Sequence, residues 1–580
     1  MKTIFIEFFS CTPHVGQSFE LAQTELDKGN EVEYYFLGDA VPFAEFSQGL
    51  VHPILKRAGF NSATQRLANL VEGEHFSYFE PELDVTRHRL PKITCLDELK
   101  QLTYRAFNVG LGITSSLISY LKEPSPDLQH YQALIADMYD SAAAVYEFTL
   151  ALLEKQCTEN TQVFLMNGRF CCYRAVFQVI TELSFHFKIH EGGCDSRHYT
   201  LHPSRPHDLV TNQKYMMEAW SELSDKVEAS QIAHEFFAKN RKGIGEIGYI
   251  ERFSKNQIEG NLPSLPSDKK ILAFFTSTED EYEGLFDLIT HRHWDSQFQL
   301  FEVLTQFVNE NLDYHLVIRV HPHMKKSSPK LLERWRSFFE TLLSKTASVT
   351  IIDEFSDCSS YSLIDAADKV LTYGSQTGIE AVYFGKPSIM LGPVAWYSEF
   401  DCIEKPKTKA ELVSLLTRDN ITPNKESSLP YAYYMATRGE LMRYYDHNAK
   451  EGPSFKGHVI HSSDQRVARL NRNLFKWLPV GRESSDKQKT LIFGFSKQGI
   501  DYALLHQPTR QIIGFLDNNK EKQKTKELGL SVFAPEVVNQ LDFDLVVIIG
   551  NRAGEMYKQL RELGVKKEKL IFHHPIVQLY

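Results

Sequence analysis

The residues from Val370 to Gly392 read VLTYGSQTGIEAVYFGKPSIMLG. An apolar run ends at Gly374, and Ser375, Gln376 and Thr377 stand between it and a helix-like stretch. A helix N-terminus offers unpaired N–H groups and the positive end of a dipole. Hydroxyls at such a place either cap the helix or help to seat an anion, and phosphate is the natural guest. Glu380, three residues past Thr377, can close a capping box or reach a ribose hydroxyl. The glycine spacing is neither a Walker nor a dinucleotide pattern, so the stretch alone does not choose between capped turn and phosphate seat.

Other loops carry similar groups. VIRVHPHMKK places Arg319, His321, His323, Lys325 and Lys326 after a buried run. His321, between a strand and a proline, is the candidate for phosphate, either as a hydrogen-bonding ring or as a cation. Lys325 and Lys326 read as a solvated basic loop. FHFKIHEGG sets Glu191 after a strand and before two glycines, where a carboxylate can serve as general base or merely shape a turn. Asn167 and Arg169, in NGR, end the preceding strand and are candidates for acceptor or phosphate binding; Asn-Gly is also a plain turn signal. In TSTEDEYEG, Ser277 and Thr278 can bind anions, while Glu279, Asp280, Glu281 and Glu283 read as solvated acids holding no metal. Ser360 and Tyr361 precede a short helix, where nucleobase or ribose contact competes with capping and packing. Near the C-terminus, Gly494 and Gly499 in IFGFSKQG flank a strand-to-helix turn, and Asp517 ends the next strand. That is a degenerate dinucleotide-type turn, which marks a Rossmann-like unit more firmly than it marks a ligand.

These loops need strands and helices to hold them. TIFIEFF, then SFELAQTELDKGN, then a second apolar run make a β-α-β unit and imply a parallel sheet. A long helical region is expected from Leu96 to Lys155, and further helices up to Leu478. KNQIEGNLPSLPSDKK and PVGRESSDKQK read as linkers. The expected organisation is α/β throughout: a Rossmann-like unit over 1–262 with a helical insertion, a second over 268–480, and a small one over 488–580. Ligands in such sheets bind at the carboxyl ends of the strands.

Composition excludes several classes. With 580 residues the chain exceeds one core, and 42% hydrophobic with 24% charged residues is ordinary for globular protein. A net charge of −10 argues against a nucleic-acid binder. The 8 cysteines form no C-x-x-C pair, so neither a zinc ribbon nor a disulfide framework is expected. No apolar run of about 18 residues suggests a membrane span, and the opening residues lack a cleavage signal. A cytoplasmic protein, with peripheral attachment at the inner membrane face left open, is the expectation.

HPH followed by SSYSLIDAADKVLTYGSQTGIEAVYFGKPSIMLGPVAWY resembles the capsule polysaccharide biosynthesis glycosyltransferases. The resemblance extends over about residues 1–480 and is most specific at Ser359–Tyr397. It implies a GT-B fold, two Rossmann-like domains with the active site between them. It further implies His321 at the phosphate or nucleotide of a nucleotide-sugar donor and Ser375 and Thr377 at its phosphate; Arg319, Ser360, Tyr361 and Glu380 are the candidates beside them. Related transferases carry an acidic-acidic-Gly motif whose carboxylate is the base; here the match is His190-Glu191-Gly192, with histidine at the first acidic place. The implied reaction is an inverting, metal-independent transfer to a glycan or lipid-linked glycan of the cell surface, with Glu191 and His321 catalytic and no cofactor. The C-terminal unit is similar to small Rossmann-like domains of sugar-modifying enzymes and is open to a nucleotide or nucleotide-sugar ligand. Other readings are a nucleotide-sugar 2-epimerase, a CDP-alditol phosphotransferase, and a non-catalytic nucleotide-sugar-binding part of a capsule assembly complex.

Overall fold

The computed structural model describes residues 1–9, 13–38, 40–44, 63–121, 123–247, 250–251, 253–285, 287–289, 292–327, 329–460, 488–506, 510–550 and 552–572. The first sheet grows outward from β1 (Lys2–Glu7), whose Ile4, Phe5 and Ile6 are fully buried. A strand apolar on both faces must be covered on both faces. Helix α1 (His14–Asp27) covers one, and its Phe19 stacks on Tyr34 of β2 (Glu31–Phe36). β3 (Phe76–Phe79) follows β2 at the edge. The other face is covered by α2 (Val109–Leu121), α3 (Gln132–Leu153) and α4 (Cys171–Glu182), which share a core with Ile4 and Ile6. The long helical region expected from Leu96 is therefore broken into separate helices.

β4 (Thr161–Met166) pairs with β1, and β5 (His186–Gly192) pairs with β4, both in parallel. β6 (His198–His202) turns back antiparallel to β5. Parallel strands point their carboxyl ends the same way. Glu7, Asn167 and Glu191 consequently lie on one edge.

Helices α5 (Leu209–Glu222) and α6 (Lys226–Arg241) then leave this sheet. The second sheet is β7 (Lys270–Phe275), β8 (Tyr314–Arg319), β9 (Val349–Ile352), β10 (Lys369–Thr372) and β11 (Ser388–Met390), ordered β9-β8-β7-β10-β11 and parallel throughout. Its helices include α7 (Glu279–Glu283), α8 (Gln297–Glu310), α9 (Pro329–Leu343), α10 (Ser360–Ala366) and α11 (Thr377–Tyr383).

The cores do not divide where the contiguous boundaries at 262 and 268 place them. Met216, Phe236 and Phe237 of α5 and α6 pack with Ile379, Val382 and Tyr431, and so belong to the second half. Tyr431 lies on α12 (Leu429–Thr437), which lies against α6. Past α12 the chain crosses back. β12 (Glu440–Leu441) extends the first sheet beside β6. A small ribbon (Tyr445–Asp446, Ser454–Phe455, His458–Val459) replaces the helices expected here, with Tyr445 and Phe455 in the α1 core. The ribbon strands are two residues long and pair with one another, whereas β12 pairs over 200 residues away, so no helical or strand periodicity announces the segment. Glu20, 1% exposed on α1, anchors the return by accepting the backbone N–H groups of Arg443, Tyr444 and Tyr445 at 2.8, 2.6 and 2.8 Å. The helices expected from 461 to Leu478 and the linker through 487 lie outside the described residues.

The third unit is a six-stranded sheet: β13 (Lys489–Phe493), β14 (Gln511–Leu516), β15 (Lys526–Glu527), β16 (Leu530–Phe533), β17 (Leu545–Ile548) and β18 (Leu570–Phe572), ordered β15-β16-β14-β13-β17-β18. The architecture is thus a GT-B-like pair of Rossmann-like domains and a small Rossmann-like accessory domain.

Gly16 tests the crossing. A Cβ there would meet the Tyr445 ring at 2.2 Å. Gly16→Val is expected to lower stability by about 1–3 kcal/mol through overpacking. In chemical unfolding, the double variant with Tyr445→Ala should lose less than the sum of the two single losses, because the ring is the obstacle.

Candidate active site

Three strand ends converge at the carboxyl edge of the second sheet. β7, the central strand, runs into Thr276, Ser277 and Thr278, which are 1%, 4% and 2% exposed. On one side β8 runs into His321, whose backbone N–H donates to Thr276 Oγ1 at 2.8 Å. On the other, β10 runs into Gly374 and Ser375, and the Tyr373 N–H donates to the Phe275 carbonyl at 3.3 Å. The structure thereby brings His321 and the Ser375–Thr377 turn to either side of Thr276.

His321 caps the 3-10 turn Pro322–Lys326: its Nδ1 accepts the His323 N–H at 3.1 Å. In the neutral ring the proton therefore sits on Nε2. Burial, with His323 and Arg319 nearby, pushes the imidazole down to about 3. Near neutral pH it is a hydrogen-bond donor without charge, not the cation that was the other expectation.

At Gly374 the backbone takes φ +116°, and a Cβ would come 2.1 Å from the Tyr282 hydroxyl. Glycine is thus required twice over, by φ and by space. Thr377 Oγ1 donates to Ser375 Oγ at 2.9 Å, and the Tyr397 hydroxyl donates to the Ser375 carbonyl. No capping box forms between Thr377 and Glu380. Gln376 occupies the cap position, and Glu380 accepts from Asn240 Nδ2 of α6 at 2.7 Å and Gln376 Nε2 at 3.0 Å. Glu380 is 4% exposed and braces α11 against α6 instead of facing a ribose.

Arg319 also turns inward. Only 2% exposed, its guanidinium donates to the carbonyls of Asp353 and Ser356 and pins the loop after β9. Tyr361 is packed edge-on against Phe384, and the Ser360 N–H donates to Gln257 Oε1 at 2.7 Å. The acids of TSTEDEYEG are not all solvated as expected. Glu279 Oε1 is enclosed without a hydrogen-bond partner, and burial, opposed by Arg334 and reinforced by Glu283 and Glu123, pushes the carboxyl up to about 7. Glu283 pairs with Arg292.

On the first sheet, β4 ends in a left-handed turn, with Asn167 at φ +60° and Gly168 at +74°. Asparagine tolerates this conformation better than most residues. The turn aims Asn167 Nδ2 at Glu191 Oε1, 2.6 Å away. Gln17 and Thr200 donate to the Glu191 carbonyl at 2.5 and 3.2 Å. Burial pushes the Glu191 carboxyl up, while Asn167, His190, Arg169 and Arg438 pull it back. Arg169 lies over the Phe170 ring and donates to Ser115 and Ser119 of α2 at 3.2 and 3.3 Å.

The two edges face one another because α7, just past Thr278, packs on that same α2. Asp287 clasps the halves: Arg174 and Arg205 of the first bond its Oδ2 at 3.0 and 2.5 Å. Within the second half, Gln213 of α5 donates to the Ala395 carbonyl at 2.8 Å and ties that helix to its core. None of these residues sits in a motif, so only the fold reveals them. Among the described residues one group has the composition of a metal site, Cys194, Asp195 and His198, on the loop after β5. Its Asp195 is already bonded by Arg197 and His198.

In the third unit, α13 (Lys497–His506) follows the Gly494 turn, at φ +120°. Cβ atoms at Gly494 and Gly499 would meet the carbonyls of Ile549 and Gly494 at 2.0 and 2.1 Å. Asp517 accepts the Phe495 N–H at 3.1 Å and the Lys522 ammonium at 3.2 Å. Helix α14 (Ala553–Glu562) seats Gly554 on the Lys325 carbonyl, within the loop that follows His321. Lys325 lies over the Phe355 ring, not in a freely solvated loop.

Residues 266–401 match the family model of the capsule polysaccharide biosynthesis proteins, and residues 486–571 match that of the C2185-like N-terminal domain. The first match includes Ser359–Tyr397, where the resemblance seen in the sequence is most specific. No curated protein matches the chain. Among solved structures, the KpsC β-Kdo 2,4 transferase of Thermosulfurimonas dismutans is 14% identical, over 53% of this chain and 86% of its own, with a TM-score of 0.32. A UDP-GlcNAc 2-epimerase of Neisseria meningitidis, bound to UDP-GlcNAc, is 10% identical over 75% and 97%, at 0.26. MnaA of S. aureus, solved with UDP, is 14% identical over 75% and 92%, at 0.25. None of the three lends a residue assignment. Among the described residues no helix is long and apolar enough to cross a membrane.

The clasp is open to test. Burial raises the Asp287 carboxyl, but Arg174 and Arg205 outweigh it and hold the group below 3.8. A depressed carboxyl contributes stability above its unfolded pKa and loses it as pH falls through the folded value. Asp287→Asn is expected to cost about 1.5–3 kcal/mol at pH 7 and progressively less toward pH 3, measured by denaturant unfolding across pH.

Proposed function

We propose that this chain, whose residues 266–401 match the capsule polysaccharide biosynthesis proteins, is a glycosyltransferase moving a sugar from a nucleotide-sugar to a cell-surface glycan. The reading extends to an inverting reaction that needs no metal. Its main support is the pairing of two polar edges across one cleft, Glu191 held by Asn167 on one side and Thr276, His321 and Ser375–Thr377 on the other.

In this mechanism the Glu191 carboxylate takes the proton of an acceptor hydroxyl. The hydroxyl oxygen attacks the anomeric carbon as the bond from that carbon to the phosphate oxygen breaks. Charge then builds on the leaving phosphate. In this reading the His321 Nε2–H and the Ser375 hydroxyl donate to it, and Thr377 orients the Ser375 hydroxyl by donating to its oxygen. Arg319 and Glu380 act one step back: Arg319 fixes the loop before α10, and Glu380 fixes the helix carrying Thr377. Arg169, which follows the Asn167 turn and is held by Ser115 and Ser119 of α2, is assigned to the acceptor side. The accessory domain, seated on the loop after His321, steadies that loop.

The test separates binding from chemistry. Binding of CMP, CDP, UDP, GDP and dTDP, followed by calorimetry, identifies the base, and the matching nucleotide-sugar is then assayed with surface-glycan acceptors. Glu191→Gln should lower transfer by about 10²–10⁴-fold and leave nucleotide affinity nearly unchanged. His321→Ala should weaken nucleotide binding. Transfer should persist in a chelator and fall on the acid side as Glu191 takes up a proton. Epimerisation of a UDP-sugar without acceptor, or transfer undiminished in Glu191→Gln, overturns the reading.

A further inference from the structure

The proposed reaction leaves one charge unmet. Negative charge builds on the departing phosphate, yet the groups placed around it are neutral donors. The His321 ring carries no charge near neutral pH. Arg319 is turned inward to the carbonyls of Asp353 and Ser356, and Lys325 lies over the Phe355 ring. Charge on a departing phosphate is commonly met by an arginine, a lysine or a metal.

Arg438 is a cation that the fold brings to this place. It stands where the chain leaves α12 and crosses back toward the first sheet. Both halves hold its backbone. Its N–H donates to the Tyr434 carbonyl of α12 at 2.8 Å, and its carbonyl accepts the N–H of Cys194, in the loop that follows Glu191, at 3.0 Å. Its guanidinium lies over the Trp396 ring, 5.3 Å from the centroid. Trp396 belongs to the stretch that backs the Ser375 turn. The hydroxyl of the next residue, Tyr397, bonds the Ser375 carbonyl, and the Val394 carbonyl lies 3.0 Å from the place of a Cβ on Gly374. Arg438 therefore stands between the loop after Glu191 and the segment behind Ser375–Thr377.

The side chain is half-buried, and its Nε is enclosed without a hydrogen-bond partner. Among the described residues no oxygen accepts from the guanidinium and no carboxylate pairs with it. A half-buried arginine without an anion is a costly arrangement unless a ligand supplies one. An aromatic ring beside it limits how the guanidinium can turn, and its forked N–H groups match a phosphate two at a time.

We propose that Arg438 is a further catalytic residue: its guanidinium binds the phosphate oxygens of the nucleotide-sugar and meets the charge that builds on them as the sugar departs. This rests on the reading of the cleft as that of a nucleotide-sugar-dependent transferase. The bond from the anomeric carbon to the phosphate oxygen breaks, and its electron pair stays on that oxygen. The acceptor oxygen bonds the carbon, and the acceptor proton goes to Glu191. Arg438 gives up no proton, since its guanidinium stays charged throughout. It supplies charge where His321 and Ser375 supply hydrogen bonds. No motif marks it in MATRGEL, because its use depends on Trp396 and Cys194, which are distant along the chain.

Calorimetry with inorganic pyrophosphate tests the contact whatever the base, beside the nucleotide that binds best and its nucleoside. Arg438→Ala keeps both backbone bonds. It should weaken pyrophosphate and nucleotide binding by about 10- to 100-fold and leave the nucleoside unaffected. Transfer at saturating donor should fall as well, because charge on the phosphate is greater in the transition state. Arg438→Lys should restore part of the affinity, returning the charge without the fork. If Arg438→Ala does not fold, Arg438→Gln carries the test. A folded variant that binds pyrophosphate and nucleotide like the parent overturns the proposal. Unchanged nucleotide affinity with a raised KM confined to acceptors bearing a carboxylate or phosphate also overturns it, and gives Arg438 to the acceptor. Weakened pyrophosphate binding together with epimerisation of a UDP-sugar without acceptor upholds the phosphate contact and overturns the transferase reading instead.

Discussion

Exchange of segments between the halves is the constraint on which the rest depends. Helices α5 and α6 bury their apolar faces in the second domain, and residues 440–459 return to the first. Neither segment can bury its apolar side chains in its own half. Glu20 shows how tightly the return is fixed, since a buried carboxylate accepts three consecutive backbone N–H groups. A charged acceptor of this kind is strong when fully met and expensive when not. Together with the Asp287 clasp, the exchange holds two carboxyl edges face to face instead of leaving them on independent bodies.

The electrostatics of the cleft follow from that enclosure. His321, His14 and His202 are all pushed well down by burial, and the last two to about 4. Near neutral pH these buried rings offer hydrogen-bond donors and acceptors without charge. Glu191 and Glu279 are pushed up for the same reason. Desolvation acts on acids and bases alike, in each case against the charged form. Against that push, the Asn167 amide and the neighbouring arginines draw the Glu191 carboxyl back down.

Much of this was legible from residue order. The β-α-β alternation announced parallel sheets, and parallel sheets place function at their carboxyl ends. That reasoning singled out Asn167, Glu191, His321, Ser375 and Thr377, and the structure places them at strand ends on two edges. It did not foresee the internal partners of Arg319 and Glu380, nor the enclosure of Glu279. Sequence can show that a charged residue follows a strand, but not whether the side chain turns outward to solvent or inward to a carbonyl. Arg319 turned inward because the loop after β9 leaves the carbonyls of Asp353 and Ser356 needing donors.

The sequence by itself determined the fold class, the strand ends where polar groups gather, and the glycine at 374, because these depend on short-range periodicity and on local backbone sterics. The Glu7–His190–Tyr173 network joins residues more than 160 positions apart, and the Arg174–Asp287–Arg205 clasp spans the two domains. Only the tertiary structure decided those. Burial and ion pairing act through space, and a residue's neighbours in space are set by how whole sheets pack, not by its neighbours along the chain.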